Sequence, residues 1–203
     1  MKMKVIGITG PSGAGKGVCC EILMKNGIAC IDTDSVYHGL ILADTPCTAE
    51  LTLAFGKEIL ATDGSVDRKR LASIVFSDNT RQKNLLLNKI THKYVKEETL
   101  RLLDFYQKQG IKATAIDAPL LFEASFEEMC DFCVAVLAPQ ELRLSRIIER
   151  DKLDTERAQA RLSAQKPDCY YTERAQYTVI NDGDKENVQK QVEQILSNEK
   201  LRF

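Results

Sequence analysis

Residues 4–25 read KVIGITGPSGAGKGVCCEILMK, and three successive elements can be recognised in this stretch. The apolar, β-branched run Lys4–Thr9 predicts a short strand that is buried on both faces. A glycine-rich loop follows, and the apolar spacing over Lys16–Lys25 predicts a helix that ends near Gly27. A second apolar run, Ile28–Ile31, completes the pattern of a βαβ unit with a right-handed crossover.

The loop between the first strand and the helix matches the pattern G-x-x-x-x-G-K from Gly10 to Lys16. Glycines permit backbone angles that let successive N–H groups converge on phosphate oxygens, and a helix N-terminus adds a positive dipole end. A chance glycine turn is disfavoured because a strand and a helix flank the loop. The sequence therefore predicts a nucleotide phosphate site, with Lys16 also acting in catalysis. Its binding residues are Gly10, Gly13, Ala14, Gly15, Lys16, Gly17 and Val18.

One position departs from the usual loop. The Ser or Thr whose hydroxyl ligates Mg²⁺ in such loops is replaced by Gly17, and Val18 follows it. The string GPSGAGKG resembles the loop of adenylate kinases, in which the metal is held largely through water. ATP with Mg²⁺ is the expected cofactor pair, and the protein ligands of the metal are left open.

Working outward, the middle of the chain shows helical periodicity and almost no strand pattern from residue 35 to residue 109. Asp67 is a good N-cap for a helix that ends at Phe76. The run 77–79 (SDN) predicts the cap of a long helix from Thr80 to about Gln109, with Gly110 as its stop.

Strands return in the last part of the chain. They are predicted at Lys112–Asp117, Phe132–Ala138 and Tyr177–Ile180, and helices at Gln140–Lys152, Thr155–Ala164, Pro167–Ala175 and Lys185–Glu199. Five short strands interleaved with helices predict a parallel α/β sheet.

Composition excludes several classes of protein. The 203 residues are 44% hydrophobic and 28% charged with a net charge of -1, which is unlike a disordered chain and disfavours nucleic-acid binding by bulk charge. No apolar run is long enough to span a membrane, and the apolar N-terminal stretch breaks too early, at residue 10, for a secretory signal. An odd count of seven cysteines favours reduced thiols and a cytoplasmic location.

Acidic side chains follow two of the predicted strands. Asp32 and Asp34 end the second strand, and strict alternation would place them on one side of it, so that one faces the phosphate loop. A hydroxyl that attacks a phosphoryl group needs such a carboxylate to orient it and accept its proton. A helix N-cap is the alternative, which we favour for Asp32. Asp117 ends the third strand and is a candidate for holding a metal-bound water.

Arg143, Arg146 and Arg150 are spaced i, i+3, i+7 and fall on one face of a predicted helix. Arginines on a closing flap would neutralise the transferring phosphoryl group and exclude water. Ion pairing on a solvated helix, with Glu149 and Asp151 adjacent, is the alternative for Arg143 and Arg150.

Across nearly its whole length the sequence resembles the dephospho-CoA kinase family. The segments that carry the resemblance are GITGPSGAGKG, IDTDSVYH, FGKEILATDGSVDRKRLASIVF, LNKITH, APLLFE, VLAPQELRLSRIIERD, RLSAQ and VINDGD, in this order. The glycine-rich loop is common to many kinases, whereas IDTDSVYH, DGSVDRKRL, PLLFE and RIIERD are far more specific.

The resemblance implies transfer of the ATP γ-phosphate to the ribose 3′-hydroxyl of dephospho-CoA, the last step of coenzyme A synthesis. It places Thr9, Asp34 and Arg146 at the family's catalytic positions, with Asp34 as the base, and Asn181 near the adenine. His38 matches a position that is more often structural or substrate-facing, and His92 is expected to pack or cap a helix. The expected partner is dephospho-CoA, with no nucleic acid or membrane, and the chain is expected to be a monomer or small homo-oligomer.

The implied fold class is an α/β P-loop NTPase of the nucleotide-kinase-like type. It is a three-layer α/β/α structure with a five-stranded parallel sheet, a helical substrate-binding insertion and a helical lid. The expected core domain comprises residues 1–34, 111–139 and 175–203, the dephospho-CoA-binding domain residues 35–110, and the lid residues 140–174.

Other functions fit less well. A nucleoside monophosphate kinase would need phosphate-binding arginines in the helical insertion, where Arg68, Arg70 and Arg81 are available. A GTPase-type switch lacks its guanine-reading motif, since the run 88–91 (NKIT) has no Asp and lies within a predicted helix. The run 130–133 (CDFC) lacks a second Cys/His pair for zinc. Cys19 and Cys20 are expected to pack in the core or at the surface, and a lowered thiol pKa is the alternative.

Overall fold

The structure is a computed structural model that describes residues 2–77 and 81–201. Five strands form one sheet in the order β2-β3-β1-β4-β5. They are β1 (Lys4–Thr9), β2 (Ala29–Asp32), β3 (Ala113–Asp117), β4 (Phe132–Leu137) and β5 (Tyr177–Ile180). β1 runs parallel to both β3 and β4, and β4 runs parallel to β5. The predicted five-stranded parallel α/β sheet is confirmed.

The helices lie between the strands as the periodicity predicts. They are α1 (Lys16–Lys25), α2 (Thr33–Leu40), α3 (Pro46–Phe55), α4 (Arg68–Phe76), α5 (Gln82–Lys108), α6 (Gln140–Asp151), α7 (Thr155–Ser163), α8 (Asp168–Thr172) and α9 (Lys185–Asn198). Short 3-10 turns occur at Lys57–Ile59 and Glu127–Met129. The predicted cap residues Asp78 and Asn79 and the predicted start at Thr80 lie outside the described residues.

The chain divides into two compact units, Met1–Ile31 with Phe105–Phe203, and Asp32–Asp104. The first unit contains the parallel strands β1, β3, β4 and β5. Its core joins the sheet to α1 and α9 through apolar side chains that are almost fully buried, among them Ile6, Ile8, Ile22, Val136, Val179 and Val188. Burial of this apolar surface is the main stabilising contribution, and it anchors the strand and helix on either side of the glycine-rich loop.

The second unit is helical. Its core gathers Leu51, Ile59, Leu71, Val75 and Ile90 from α3, the first 3-10 turn, α4 and α5. Departing from the purely helical prediction, Leu60 and Val66 form an isolated antiparallel bridge.

Two helix-end predictions are confirmed. Asp67 caps α4, since its carboxylate accepts hydrogen bonds from the backbone N–H groups of Lys69 at 2.9 Å and Arg70 at 3.1 Å. Gly110 follows α5 with a φ of 78°, in the left-handed region, and its N–H donates to Gln107 O at 3.1 Å. Because glycine has no Cβ atom, it adopts this angle without steric strain, and the chain can leave the helix at this residue.

The expectation that Asp34 continues the second strand is wrong. β2 ends at Asp32, and Asp34 is the second residue of α2. The reason is local, because Asp32 turns the chain by accepting a hydrogen bond from Asp34 N at 3.0 Å, as an N-cap. Strand alternation therefore says nothing about where the Asp34 carboxylate points. In addition, β3 lies between β1 and β2 in the sheet.

Within residues 2–77 and 81–201, no helix combines the length and the apolar character that crossing a membrane requires.

Candidate nucleotide-binding site

Three loop glycines hold backbone angles that other residues avoid. The φ values of Gly10, Gly13 and Gly15 are 142°, 81° and 90°. Added Cβ atoms would lie 2.1 Å from Val136 O at Gly10 and 2.0 Å from Asn181 Nδ2 at Gly15. Both the angles and the close packing require glycine, so the loop conformation is set by the glycine spacing that the motif predicts.

The loop leads directly into α1. Gly15 is the N-cap residue of this helix, and Lys16 is its first residue. The Lys16 ammonium donates to Gly10 O at 3.1 Å, so the side chain folds back over the loop. The positive end of the helix dipole and the lysine charge thus lie at the same loop, which suits an anion. Gly17 has open space around its Cβ position.

Arg146 and Asn181 contact the loop by hydrogen bonds to its backbone carbonyl groups. Arg146 Nη1 donates to Gly13 O at 3.1 Å and to Ala14 O at 3.4 Å, and Asn181 Nδ2 donates to Ala14 O at 3.0 Å. The two side chains also contact each other, since Arg146 Nη2 donates to Asn181 Oδ1 at 3.0 Å. Asn181 is only 3% exposed, so its polar groups need these partners. The structure thus brings two predicted site residues together against the loop.

Arg143 and Arg150 reach the loop at Ser12. Arg143 Nε donates to Ser12 O at 3.2 Å, and Arg150 Nη2 donates to Ser12 Oγ at 3.1 Å. The alternative of local ion pairing also holds in part, because Arg150 pairs with Asp151 at 2.8 Å. Arg143 is buried, with 7% of its surface exposed, and it pairs with Asp168 at 3.3 Å. All three arginines of the i, i+3, i+7 pattern therefore contact the glycine-rich loop.

Gln165, between α7 and α8, is a site residue that the sequence analysis missed. Its side-chain oxygen accepts hydrogen bonds from Ser12 N at 2.7 Å and from Arg143 Nη2 at 3.0 Å. Gln165 is the last residue of the segment RLSAQ, which contributes to the family resemblance. The resemblance assigns no role to this glutamine.

A cavity of about 530 Å³ lies beside this arginine cluster. Its lining includes Pro139, Gln140, Arg143, Leu162, Gln165, Lys166, Asp168 and Ile180. Its lining is about equally polar and apolar, and its volume is within the range of small-molecule sites.

Thr9 and Asp117 lie at the ends of neighbouring strands. Thr9 is fully buried, and its hydroxyl donates to Pro119 O at 3.5 Å. Asp117 pairs with Ile8 across β1 and β3, and its Oδ2 atom accepts a hydrogen bond from Cys20 Sγ at 3.6 Å. A carboxylate is thereby placed at the strand end next to the one that leads into the loop.

Cys19 and Cys20 follow the loop on α1, and the pKa of each thiol is raised. Burial raises the pKa of Cys19 to about 12, and the pKa of Cys20 is also raised, first by a hydrogen bond with Cys30 and then by burial. Both groups lie in the apolar core of the first unit. The expectation that these cysteines pack in the core is therefore supported over that of thiols with lowered pKa.

Asp34 belongs to the second, helical unit. Its carboxylate is exposed near the start of α2, while Asp32 accepts from Asp34 N and from Ser35 Oγ and so serves as the cap. His38 is exposed later in α2, and His92 is half-buried in α5. The run 88–91 lies inside α5, as predicted.

Cys130 and Cys133 approach each other at the start of β4. Each thiol sulfur would lie 3.0 Å from a Cβ atom added at Gly7. Across residues 2–77 and 81–201, no group of three or more His, Cys, Asp or Glu side chains is arranged to hold a metal ion.

Comparisons with known proteins agree with this geometry. A family model described as dephospho-CoA kinase matches residues 4–187. The chain belongs to the dephospho-CoA kinase family. It is 39% identical over 185 residues to a dephospho-CoA kinase of Moorella thermoacetica, covering 91% of this chain and 86% of that protein. It is 36% identical over 203 residues to one of Dehalococcoides mccartyi, covering 99% and 100%.

A solved structure supports the same assignment. The dephospho-CoA kinase of Campylobacter jejuni superimposes with a TM-score of 0.70 at 25% identity, covering 96% of each chain. As a member of the dephospho-CoA kinase family, the chain is an enzyme that transfers phosphate from ATP to an alcohol group of dephospho-CoA.

Proposed function

We propose that the chain transfers the γ-phosphoryl group of ATP to the ribose 3′-hydroxyl of dephospho-CoA, the final step of coenzyme A synthesis. The observation that carries the proposal is the glycine-rich loop itself, which has Lys16 on one side and arginines of α6 on the other. Phosphoryl transfer needs little covalent participation by the protein. It needs positioning and positive charge around the phosphates, which this arrangement supplies.

The loop residues Gly10, Gly13, Ala14, Gly15, Lys16, Gly17 and Val18 would bind the ATP phosphates. Lys16 would leave Gly10 O and contact the β- and γ-phosphates. Arg146 would stabilise the charge that develops during transfer. Asn181 would lie near the adenine, as its place in the family segment VINDGD implies.

Asp34 is proposed as the general base that accepts the proton of the attacking 3′-hydroxyl. The support is its place in the family motif IDTDSVYH and its exposed carboxylate. The Asp32 carboxylate, in contrast, accepts a hydrogen bond as the N-cap of α2, and this difference distinguishes Asp32 from Asp34. Thr9 would support the reaction from within the core, since its side chain is buried at the strand exit.

Mg²⁺ fits the donor groups present on the loop side of the sheet. Asp117 offers a carboxylate at the end of β3, and Mg²⁺ commonly uses one or two carboxylates, substrate phosphates and several waters. Gly17 supplies no hydroxyl, so Asp117 would hold the ion through water. When bound, the ion would neutralise charge on the phosphates.

The remaining assignments concern the whole chain. We propose residues 1–34, 111–139 and 175–203 as the core, residues 35–110 as the dephospho-CoA-binding part, and residues 140–174 as the lid. These bounds differ by a few residues from those of the two compact units, which assign Asp32–Asp104 to the helical unit. A cytoplasmic monomer or small homo-oligomer is proposed. The location is supported by seven cysteines that all lie in the described residues as free thiols.

The test follows the label from γ-³²P-ATP in the purified chain with dephospho-CoA and Mg²⁺. We expect label in the product, released by a 3′-specific nucleotidase, and no transfer when EDTA removes the metal. Label at another position, or transfer in EDTA, would contradict the proposed acceptor atom or the role of Mg²⁺, respectively.

A further inference from the structure

Two hydrogen-bond donors converge on one oxygen atom at the start of the glycine-rich loop. They are the backbone N–H of Ser12 and the guanidinium of Arg143, and the oxygen is Gln165 Oε1, at 2.7 Å and 3.0 Å. Arg143 is more than nine-tenths buried, and its Nε atom is itself fixed on Ser12 O. A backbone N–H beside a guanidinium is the donor set that proteins use for phosphate oxygens.

The charge around Ser12 indicates which phosphate this oxygen position suits. Arg143 and Arg150 contact Ser12, and they pair with Asp168 and Asp151, respectively. Lys16 and Arg146 contact other carbonyl groups of the same loop, so the positive groups at the loop outnumber these two carboxylates. A terminal phosphate carries about -1.5 to -2 charge, more than a bridging one, and is the best match for this local excess of positive charge. Lys16, which reaches the β- and γ-phosphates in such loops, completes the donors on the same loop.

We propose that Gln165 occupies the position of a γ-phosphate oxygen of ATP, and that ATP binding displaces it from Ser12 and Arg143. The inference rests on the proposed function, because it takes ATP as the ligand of the loop. Gln165 is then a specificity-determining residue. Its displacement is compensated by the third phosphate of ATP, whereas ADP has no group that reaches the two donors.

The glutamine is held by contacts that a ligand can replace. Its Nε2 atom donates to Arg161 O at 3.3 Å, a long bond, and the residue is only partly buried between α7 and α8. Arg161 is in turn paired with Asp151 at 2.7 Å. Release of Gln165 therefore leaves the arginine and aspartate pairs of this segment in place.

The test is calorimetric titration of the chain with ATP and, separately, with ADP, in the absence of dephospho-CoA. Removing the competing oxygen in Gln165→Ala should tighten ATP binding by about three- to tenfold, as expected for the loss of one or two competing hydrogen bonds. ADP binding should change by less than about twofold, because ADP does not compete with the glutamine. Gln165→Asn, whose amide is one methylene too short for the loop, should behave like the alanine variant.

Two further variants sharpen the result. Gln165→Glu places a carboxylate on Arg143 and should weaken ATP binding more than ADP binding, since a charged bond is the stronger one. Gln140→Ala, on the wall of the same cavity, is the matched control and should leave the ratio of ATP to ADP affinity unchanged.

Equal changes in ATP and ADP affinity in the alanine and asparagine variants would overturn the proposal, as would weaker ATP binding in both. Failure of the proposed function is a separate result, because it would show as absence of phosphate transfer to dephospho-CoA by the unsubstituted chain.

Discussion

At the scale of single residues, two aspartates two positions apart do different work. Asp32 ends β2 and caps α2, and Asp34 lies in the first turn of that helix. Both aspartates belong to the same sequence motif. The Asp32 carboxylate accepts a hydrogen bond from the backbone N–H of Asp34, and this contact distinguishes the two side chains. The Asp34 side chain is exposed, as its proposed role as the base requires.

Asp34→Asn should leave ATP affinity within about twofold and lower kcat by about 10²–10⁴, the usual contribution of a general base. Steady-state kinetics with dephospho-CoA and calorimetry with ATP would measure the two quantities. Asp32→Asn is the matched control, since asparagine is an equally good N-cap, and its kcat should stay close to that of the unsubstituted chain. An unchanged kcat in Asp34→Asn would remove this residue from the mechanism.

The sequence predicts the roles of some single residues and not of others. The glycines at 10, 13 and 15 predict the loop, because their backbone angles and close packing exclude almost every other residue type. Gln165 carries no such signal, since its role depends on a hydrogen bond across 153 positions of the chain. Contacts of this kind arise from tertiary packing, which local propensity does not encode.

At the scale of elements, helix ends and strand identities follow from local chemistry. β1, α1 and β5 have the predicted bounds, because each combines a clear apolar period with glycine or polar residues at its ends. The sequence pattern does not delimit α2 or α3. α2 begins without a break after β2, and the cap of α3 is Thr45, followed by Pro46. The position of β3 between β1 and β2 is a property of the sheet that no single element reveals.

Gly110 tests the account of helix ends. Gly110→Ala should lower the free energy of unfolding by about 1 kcal/mol, because its φ of 78° costs a side-chain-bearing residue about that much. Gly39→Ala, within α2 and with open space around its Cβ position, should instead raise it by up to about 1 kcal/mol. Urea denaturation of each variant measures the difference, and a stabilising effect at Gly110 would contradict this explanation.

At the scale of the whole molecule, near-neutral charge is compatible with strong phosphate binding. The net charge of -1 conceals a local concentration of Lys16, Arg143, Arg146 and Arg150 around one loop of the first unit. Carboxylates such as Asp151 and Asp168 pair with part of this charge. Net charge therefore disfavours nucleic-acid binding by bulk electrostatics and says little about a small anionic ligand.

The helical unit, which we propose binds the acceptor, also contains the arginines that a nucleoside monophosphate kinase would need. Of these, Arg70 is engaged within the unit, donating to Leu60 O at 2.8 Å and pairing with Asp67 at 3.3 Å. These contacts engage one of the three arginines, and it is the family assignment that identifies dephospho-CoA rather than AMP or CMP as the acceptor.

The most direct measurement compares initial rates of ADP formation by the purified chain with dephospho-CoA, AMP and CMP as acceptors, at equal ATP and Mg²⁺. We expect a kcat/KM for dephospho-CoA at least about a hundredfold above that for either nucleotide, since a site built for one acceptor leaves polar groups unpaired with another. Turnover of AMP or CMP without turnover of dephospho-CoA would contradict it.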